Sequence, residues 1–260
     1  MIKNENTLDL ILPVAIALVL LIVLWLFSLN VTVFYRINLT SQWLGMMWAN
    51  LTILGDGLII AVLLLPFLRK RPDLLWAMLW TAIVFNIVLH SMKSGFNFPR
   101  PPQVLPTDTF YIIGPEYHFK SFPSGHTSAA FAYAGVVAFG IKRRVIRFLL
   151  FALALLVGFS RIGVGVHWPT DVCAGLIVGW AGAWLGWWIS KKISIGTGFV
   201  FQIIIGILLI VSAFVLLVDY DTHYPQAEGL RYVIGIATLV WGIVNFVVIW
   251  RHRFASTSAP

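Results

Sequence analysis

The chain is built from continuous apolar runs nearly as long as a lipid bilayer is thick. A hydrocarbon core of roughly 30 Å takes about 20 residues of α-helix. Eight segments approach that length: 9–29, 51–68, 74–92, 126–141, 148–166, 171–190, 199–218 and 230–250. Lipid offers no hydrogen bonds, so such segments form helices or a closed barrel. The runs do not alternate apolar with polar residues, which excludes barrel strands. The expected fold class is all-α, a polytopic integral membrane helix bundle of about eight transmembrane helices. Composition agrees, with 60% hydrophobic and only 11% charged residues in 260, against about 25% charged in soluble domains. A cytosolic enzyme, a disordered regulator and a secreted disulfide scaffold are excluded. The single Cys173 excludes an intrachain disulfide and a multi-thiolate metal site. The run from Leu10 to Leu29 is too long for a signal-peptide core and no A-x-A site follows, so it reads as a retained helix.

A net charge of +8 would suggest nucleic acid if the cations were spread over a surface, but they sit in short clusters between the apolar runs. That is a topology signal, and no nucleic-acid partner is expected. One set of alternate connections holds twelve cations: Lys3, Arg69, Lys70, Arg71, Lys142, Arg143, Arg144, Arg147, Lys191, Lys192, Arg251 and Arg253. The other holds six: Arg36, Lys93, Arg100, Lys120, Arg161 and Arg231. The richer set belongs in the cytoplasm, which places both termini there. Trp43, Trp48, Trp76, Trp168, Trp188 and Trp250 lie near proposed helix ends, where indoles favour the interface. The expected location is the cytoplasmic (inner) membrane, with the longest connection, 93–125, facing the periplasm or outside.

Three outer stretches carry residues that topology does not explain. Lys93 to Arg100-Pro101 opens the long loop and Phe122-Pro123-Ser124-Gly125-His126-Thr127 closes it. Ser160-Arg161 and His167-Trp168-Pro169-Thr170-Asp171 follow two crossings later, on the same side. Lys93, Arg100 and Arg161 supply three cations, and guanidinium forks match phosphate oxygens. Ser124 is placed to N-cap the helix that follows, Gly125 allows close backbone approach, and free N–H groups at a helix start attract anions. Pro169 suits the first helical position, which puts Asp171 in the first turn near His167. A carboxylate on one imidazole nitrogen fixes the tautomer and leaves the other free to attack. His126 could protonate the leaving oxygen, and the cations would stabilise a phosphoryl group in flight.

The order K-x6-R-P, P-S-G-H and S-R-x5-H-x3-D resembles the type 2 phosphatidic-acid phosphatase superfamily. Lys93, Arg100 and Pro101 match its first motif; Pro123, Ser124, Gly125 and His126 the second; Ser160, Arg161, His167 and Asp171 the third. The resemblance covers residues 74–190. It implies a metal-independent phosphohydrolase that needs no cofactor and passes through a phosphohistidine at His167. It further implies that Asp171 orients His167, that His126 is the general acid, and that Lys93, Arg100, Ser124, Gly125 and Arg161 hold phosphate. Residues 1–198 then form a phosphatase core of six helices with its motifs in 93–171, and 199–260 add two transmembrane helices without an assigned role.

The expected partners are a lipid phosphate substrate and the bilayer; the oligomeric state is not assigned. Undecaprenyl pyrophosphate is the first reading for the substrate. Lipid A, phosphatidylglycerophosphate, phosphatidate and a lipid phosphotransferase are the alternatives. A metal-dependent hydrolase using His126, His167 and Asp171 is disfavoured by three cations beside them, and a vanadate haloperoxidase by the membrane-spanning composition. The non-enzyme alternative, a transporter, would place its polar site near the bilayer midplane. Asp56 reads as a helix cap, Asn86 and His90 as secondary partners or helix–helix contacts, and Glu116 and His118 as a solvated loop. The segments 126–141 and 148–159 are short for a full crossing, so the site is expected slightly below the outer headgroup plane.

Overall fold

The computed structural model of the chain describes residues 5–193 and 195–255, with side chains over 11–193 and 195–251; Lys3 and the Arg253 side chain fall outside them. The described residues form helices and no strands. In chain order these are α1 (Glu5–Leu26), α2 (Asn30–Asn38), α3 (Ser41–Ile53), α4 (Gly57–Val62), α5 (Pro72–Phe96), α6 (Pro101–Val104), α7 (Gly125–Gly140), α8 (Arg144–Gly163), α9 (Pro169–Lys192), α10 (Phe199–Val218) and α11 (Glu228–Ala255). Five spans built on α5, α8, α9, α10 and α11 are long and apolar enough to cross a membrane. Counting the bent pairs α1–α2 and α3–α4 as one span each raises this to seven. The remaining expected segment is α7. Its 16 residues give about 24 Å at 1.5 Å per residue, short of the bilayer core.

Ahead of the expected second crossing, 51–68, the structure adds further helix. The helix begins at Ser41 and breaks at Gly55–Asp56, where the two halves meet at 57°. Asp56 caps the second half as expected, accepting hydrogen bonds from the Leu58 and Ile59 N–H groups at 2.8 and 3.3 Å. Ser41 and Asn38 look too polar for a span, yet both are buried. They donate to the Gly163 carbonyl at 2.7 and 2.8 Å, satisfying an oxygen that the end of α8 leaves without a helical partner. Two of the six tryptophans expected at the interface are also buried. Trp48 donates to Thr40 Oγ1 at 3.0 Å and Trp168 to the Pro99 carbonyl at 2.9 Å.

At the centre, α7 is packed by α5, α8 and α9, and α1 covers the outer side of α9. Lipid tails are as apolar as leucine, so helices in a membrane associate by close packing rather than by hydrophobic burial. The α7–α9 contact is accordingly made of small residues. A Cβ added at Gly175 would lie 2.8 Å from the Ser124 carbonyl oxygen, and one at Gly135 would lie 2.6 Å from the Ala183 Cβ. The α10–α11 hairpin packs against α4 and the turn after it, where Leu65 and Leu68 join Leu209, Ala213 and Leu216 in the core.

The connections sort to two ends of the bundle. At one, Arg71 pairs with Asp73 at 2.9 Å and donates to the Gly140 carbonyl at 3.0 Å, while Lys191 stands 3.9 Å from Asp73. At the other, the 97–124 loop, the α8–α9 turn, the start of α3 and the α10–α11 loop converge. The first end holds the basic clusters and the second holds the motifs, as the alternation of charge implies.

Candidate active site

The site grows from two helix starts and one helix end. After Gly163, Gly165 takes a left-handed turn at φ +85°, and a Cβ there would run into the Tyr111 carbonyl oxygen. Glycine alone fits that backbone. The chain reverses and delivers His167 directly ahead of α9. Trp168 is the N-cap of α9 and Pro169 its first residue, as expected. Asp171 reaches back so that its Oδ2 accepts from the Trp168 N–H at 2.7 Å. The same oxygen lies 3.1 Å from His167 Nδ1 and accepts from Ser121 Oγ at 2.5 Å. A carboxylate with three donors is held in one orientation. His167 and Asp171 are each only 2% exposed.

With Nδ1 turned to Asp171, the other nitrogen of His167 lies 3.3 Å from the Arg100 guanidinium. The bond to the carboxylate puts the proton on Nδ1, so Nε2 carries the lone pair and accepts from Arg100. Burial, followed by the charges of Arg100, Arg161 and Lys93, holds the His167 pKa well below the ordinary histidine range. Desolvation and like charge both disfavour the imidazolium. Both causes favour the neutral ring.

Arg100 is itself clamped. Its Nε donates to the Phe119 carbonyl at 2.9 Å and its NH1 to the Val166 carbonyl at 3.2 Å. Lys93 donates to the Lys120 carbonyl at 2.7 Å, and Arg100 NH2 reaches the same oxygen at 3.4 Å. Lys120 is left-handed at φ 57°, a turn that carries the chain from these carbonyls to Ser121 and so onto Asp171.

Ser124 N-caps α7, accepting from Thr127 N–H at 3.4 Å and Thr127 Oγ1 at 2.8 Å. Its own N–H donates to the Asp171 carbonyl at 3.0 Å, so the starts of α7 and α9 are tied together. A Cβ on Gly125 would meet only Leu89 Cδ2, at 3.7 Å, so the space beside the start of α7 is open. The half-buried His126 ring makes no hydrogen bond among the described residues. Arg161 is 2% exposed, and its NH1 donates to Thr52 Oγ1 at 2.5 Å and to Tyr224 OH at 2.9 Å.

All eight expected site residues therefore gather at one end of the bundle. Ser121, Thr52 and Tyr224 also belong to the network and were missed from sequence. Ser121 had a signal, a hydroxyl three residues ahead of the N-cap motif. Thr52 and Tyr224 had none. Asn86 donates within its own helix to the Ala82 carbonyl at 2.8 Å and His90 is exposed, so neither supports the site. Glu116 and His118 form an exposed pair at 3.8 Å, in keeping with a solvated loop. Among the described residues, no three His, Cys, Asp or Glu side chains gather as a metal-ligand set.

The chain is similar to known proteins. The PAP2 superfamily signature matches residues 73–195. The chain is 32% identical over 121 residues to undecaprenyl-diphosphatase BcrC of Bacillus subtilis, a match covering 46% of this chain and 60% of that protein. It is 33% identical over 106 residues to a lipid A 1-phosphatase of Rhizobium etli, covering 40% of this chain and 45% of that protein. These matches thus span less than two thirds of either relative's length. The crystal structure of Aquifex aeolicus LpxE superimposes with a TM-score of 0.57 at 31% identity, over 61% of this chain and 94% of that one. Helical architecture, motif geometry and these likenesses agree: the chain is an integral membrane protein that belongs to the PAP2 superfamily.

Proposed function

We propose that the protein is a lipid phosphatase that works through a phosphohistidine, at the outer face of a cytoplasmic membrane and with its termini inside. The observation that carries this is His167, whose Nδ1 is tied to Asp171 while its Nε2 faces Arg100. A phosphate held by Lys93, Arg100, Arg161 and the N–H groups at the start of α7 would present phosphorus to Nε2. Attack forms the N–P bond and breaks the bond from phosphorus to the bridging oxygen. His126, whose ring makes no hydrogen bond among the described residues, acts as imidazolium once the bound phosphate anion offsets the three cations beside it, and gives its proton to that departing oxygen. Water then attacks the phosphohistidine, His126 takes a proton back, and inorganic phosphate leaves with His167 restored. Asp171 holds the ring and balances the positive charge that builds on it.

Undecaprenyl pyrophosphate is the leading substrate. The relatives named as undecaprenyl-diphosphatase and lipid A 1-phosphatase support a cell-envelope lipid. The second name keeps lipid A phosphate as the alternative, and phosphotransfer would use the same intermediate with a lipid acceptor in place of water. Buried site residues at one end of the bundle, beside the short α7, support a phosphate lying just below the headgroup plane. The test is phosphate release by purified protein with chelator present, from undecaprenyl pyrophosphate, lipid A, phosphatidylglycerophosphate and phosphatidate, beside His167→Ala. Release that survives chelator and vanishes in the variant is expected. Release that persists in His167→Ala would remove the phosphohistidine.

A further inference from the structure

The α10–α11 hairpin lies outside residues 73–195, the part that the superfamily signature matches. Its loop nevertheless folds back over the active-site end. Tyr220 OH donates to Asp56 Oδ2 at 2.7 Å, and Asn50 Nδ2 donates to the Gln226 carbonyl at 3.3 Å. The Tyr224 ring lies on the Gly114 backbone of the long loop, where an added Cβ would come within 2.6 Å of it. Tyr224 is 3% exposed, and its hydroxyl accepts from Arg161 NH1 at 2.9 Å.

Arg161 is a buried cation in an unusual state. It has no carboxylate partner among the described residues, and its buried Nε has no hydrogen-bond partner there. Two neutral oxygens, Thr52 Oγ1 and Tyr224 OH, hold one corner of the guanidinium. A charge kept in a low-dielectric setting without an opposite charge favours an incoming anion, and a donor left unpaired is available to it. Fixing the guanidinium in advance removes the ordering cost when the anion arrives.

We propose that Tyr224 is a positioning residue for Arg161, so that the appended hairpin completes the phosphate-binding wall of the site. The proposal rests on the reading above only in taking Arg161 as a phosphate ligand. Thr52, from α3, accepts from the same nitrogen, NH1, so the wall is assembled from two elements outside the matched region.

The test reads inorganic phosphate binding rather than turnover. Calorimetry on the full-length purified protein, with chelator present, would give the phosphate Kd of wild type, Tyr224→Phe, Thr52→Val and Tyr220→Phe. Tyr224→Phe keeps the ring on Gly114 and removes only the hydroxyl. Losing a hydrogen bond to a charged group weakens binding roughly 10- to 150-fold, so Tyr224→Phe and Thr52→Val should each raise the Kd by about tenfold or more. Tyr220→Phe loosens the same loop without touching Arg161 and should leave the Kd unchanged, with each variant's Tm recorded as a check on folding. An unchanged Kd in Tyr224→Phe overturns the proposal, as does an equal rise in Tyr220→Phe or a wild type that binds no phosphate. A wild type that binds phosphate but releases none from any lipid would sink the phosphatase reading and leave this one standing.

Discussion

Ser121→Ala probes the least visible part of the catalytic arrangement. Ser121 is fully buried, and its hydroxyl donates to Asp171 Oδ2 at 2.5 Å, the shortest of the three bonds to that oxygen. Trp168 N–H at 2.7 Å and His167 Nδ1 at 3.1 Å remain after the substitution. Hydrogen bonds to charged groups contribute about 1.5–3 kcal/mol. The carboxylate has no route to water that would replace the lost donor, since Asp171 is 2% exposed. If that loss falls on the orientation of His167, kcat/KM drops by about 10- to 150-fold at 1.36 kcal/mol per tenfold. The deleted oxygen leaves little void, so the protein should still fold. The assay is steady-state phosphate release from the best lipid of the panel, with Tm measured in the same detergent. A kcat/KM within twofold of wild type in a folded Ser121→Ala protein would refute the claim that Ser121 helps hold the Asp171–His167 pair.

Two further outcomes follow from the same geometry. The pKa of His167 is depressed below its ordinary value of about 6.5, so the neutral nucleophile persists as pH falls through that value and is lost only well below it. The log kcat/KM profile should therefore show no loss as pH falls from 7.5 to 6.5, and an acid limb with its midpoint at or above 6.5 would contradict the neutral-His167 assignment. Gly179→Val forces a side chain into the Ser128 backbone and the Phe131 Cβ across the α7–α9 contact. It should destabilise by about 1–3 kcal/mol or more and lower the Tm, whereas Gly95→Ala, where an added Cβ meets nothing within 4 Å, should leave Tm unchanged or slightly higher. Equal Tm values for the two variants would argue against close packing at that contact.

Periodicity and hydropathy located most helices because a bilayer imposes one demand on every segment, apolar length. They failed where polar side chains are satisfied by neighbours instead of by water. Ser41 and Asn38 lower the hydropathy of 30–50, yet the end of α8 takes up both, so α2 and the first turns of α3 were missed. Nor did hydropathy show that Trp48 and Trp168 are buried, their indole N–H groups finding partners inside the fold. Asp56 was legible as a cap because capping is a local bond, closed within three residues.

The sequence alone determined the solvent, the helical class, the common side of the three motifs and the eight residues that meet there. Those follow from composition, from the parity of crossings and from local chemistry such as Pro169 and Asp171 at the start of α9. Only the tertiary structure decided which side chains complete the site. Ser121, Thr52 and Tyr224 lie 50, 109 and 63 residues from the groups they touch. No local pattern encodes such contacts, because they depend on how the packed helices bring distant turns to one end. The tautomer and charge of His167 were open for the same reason: three cations and a carboxylate oppose each other there, and burial tips the balance toward the neutral ring.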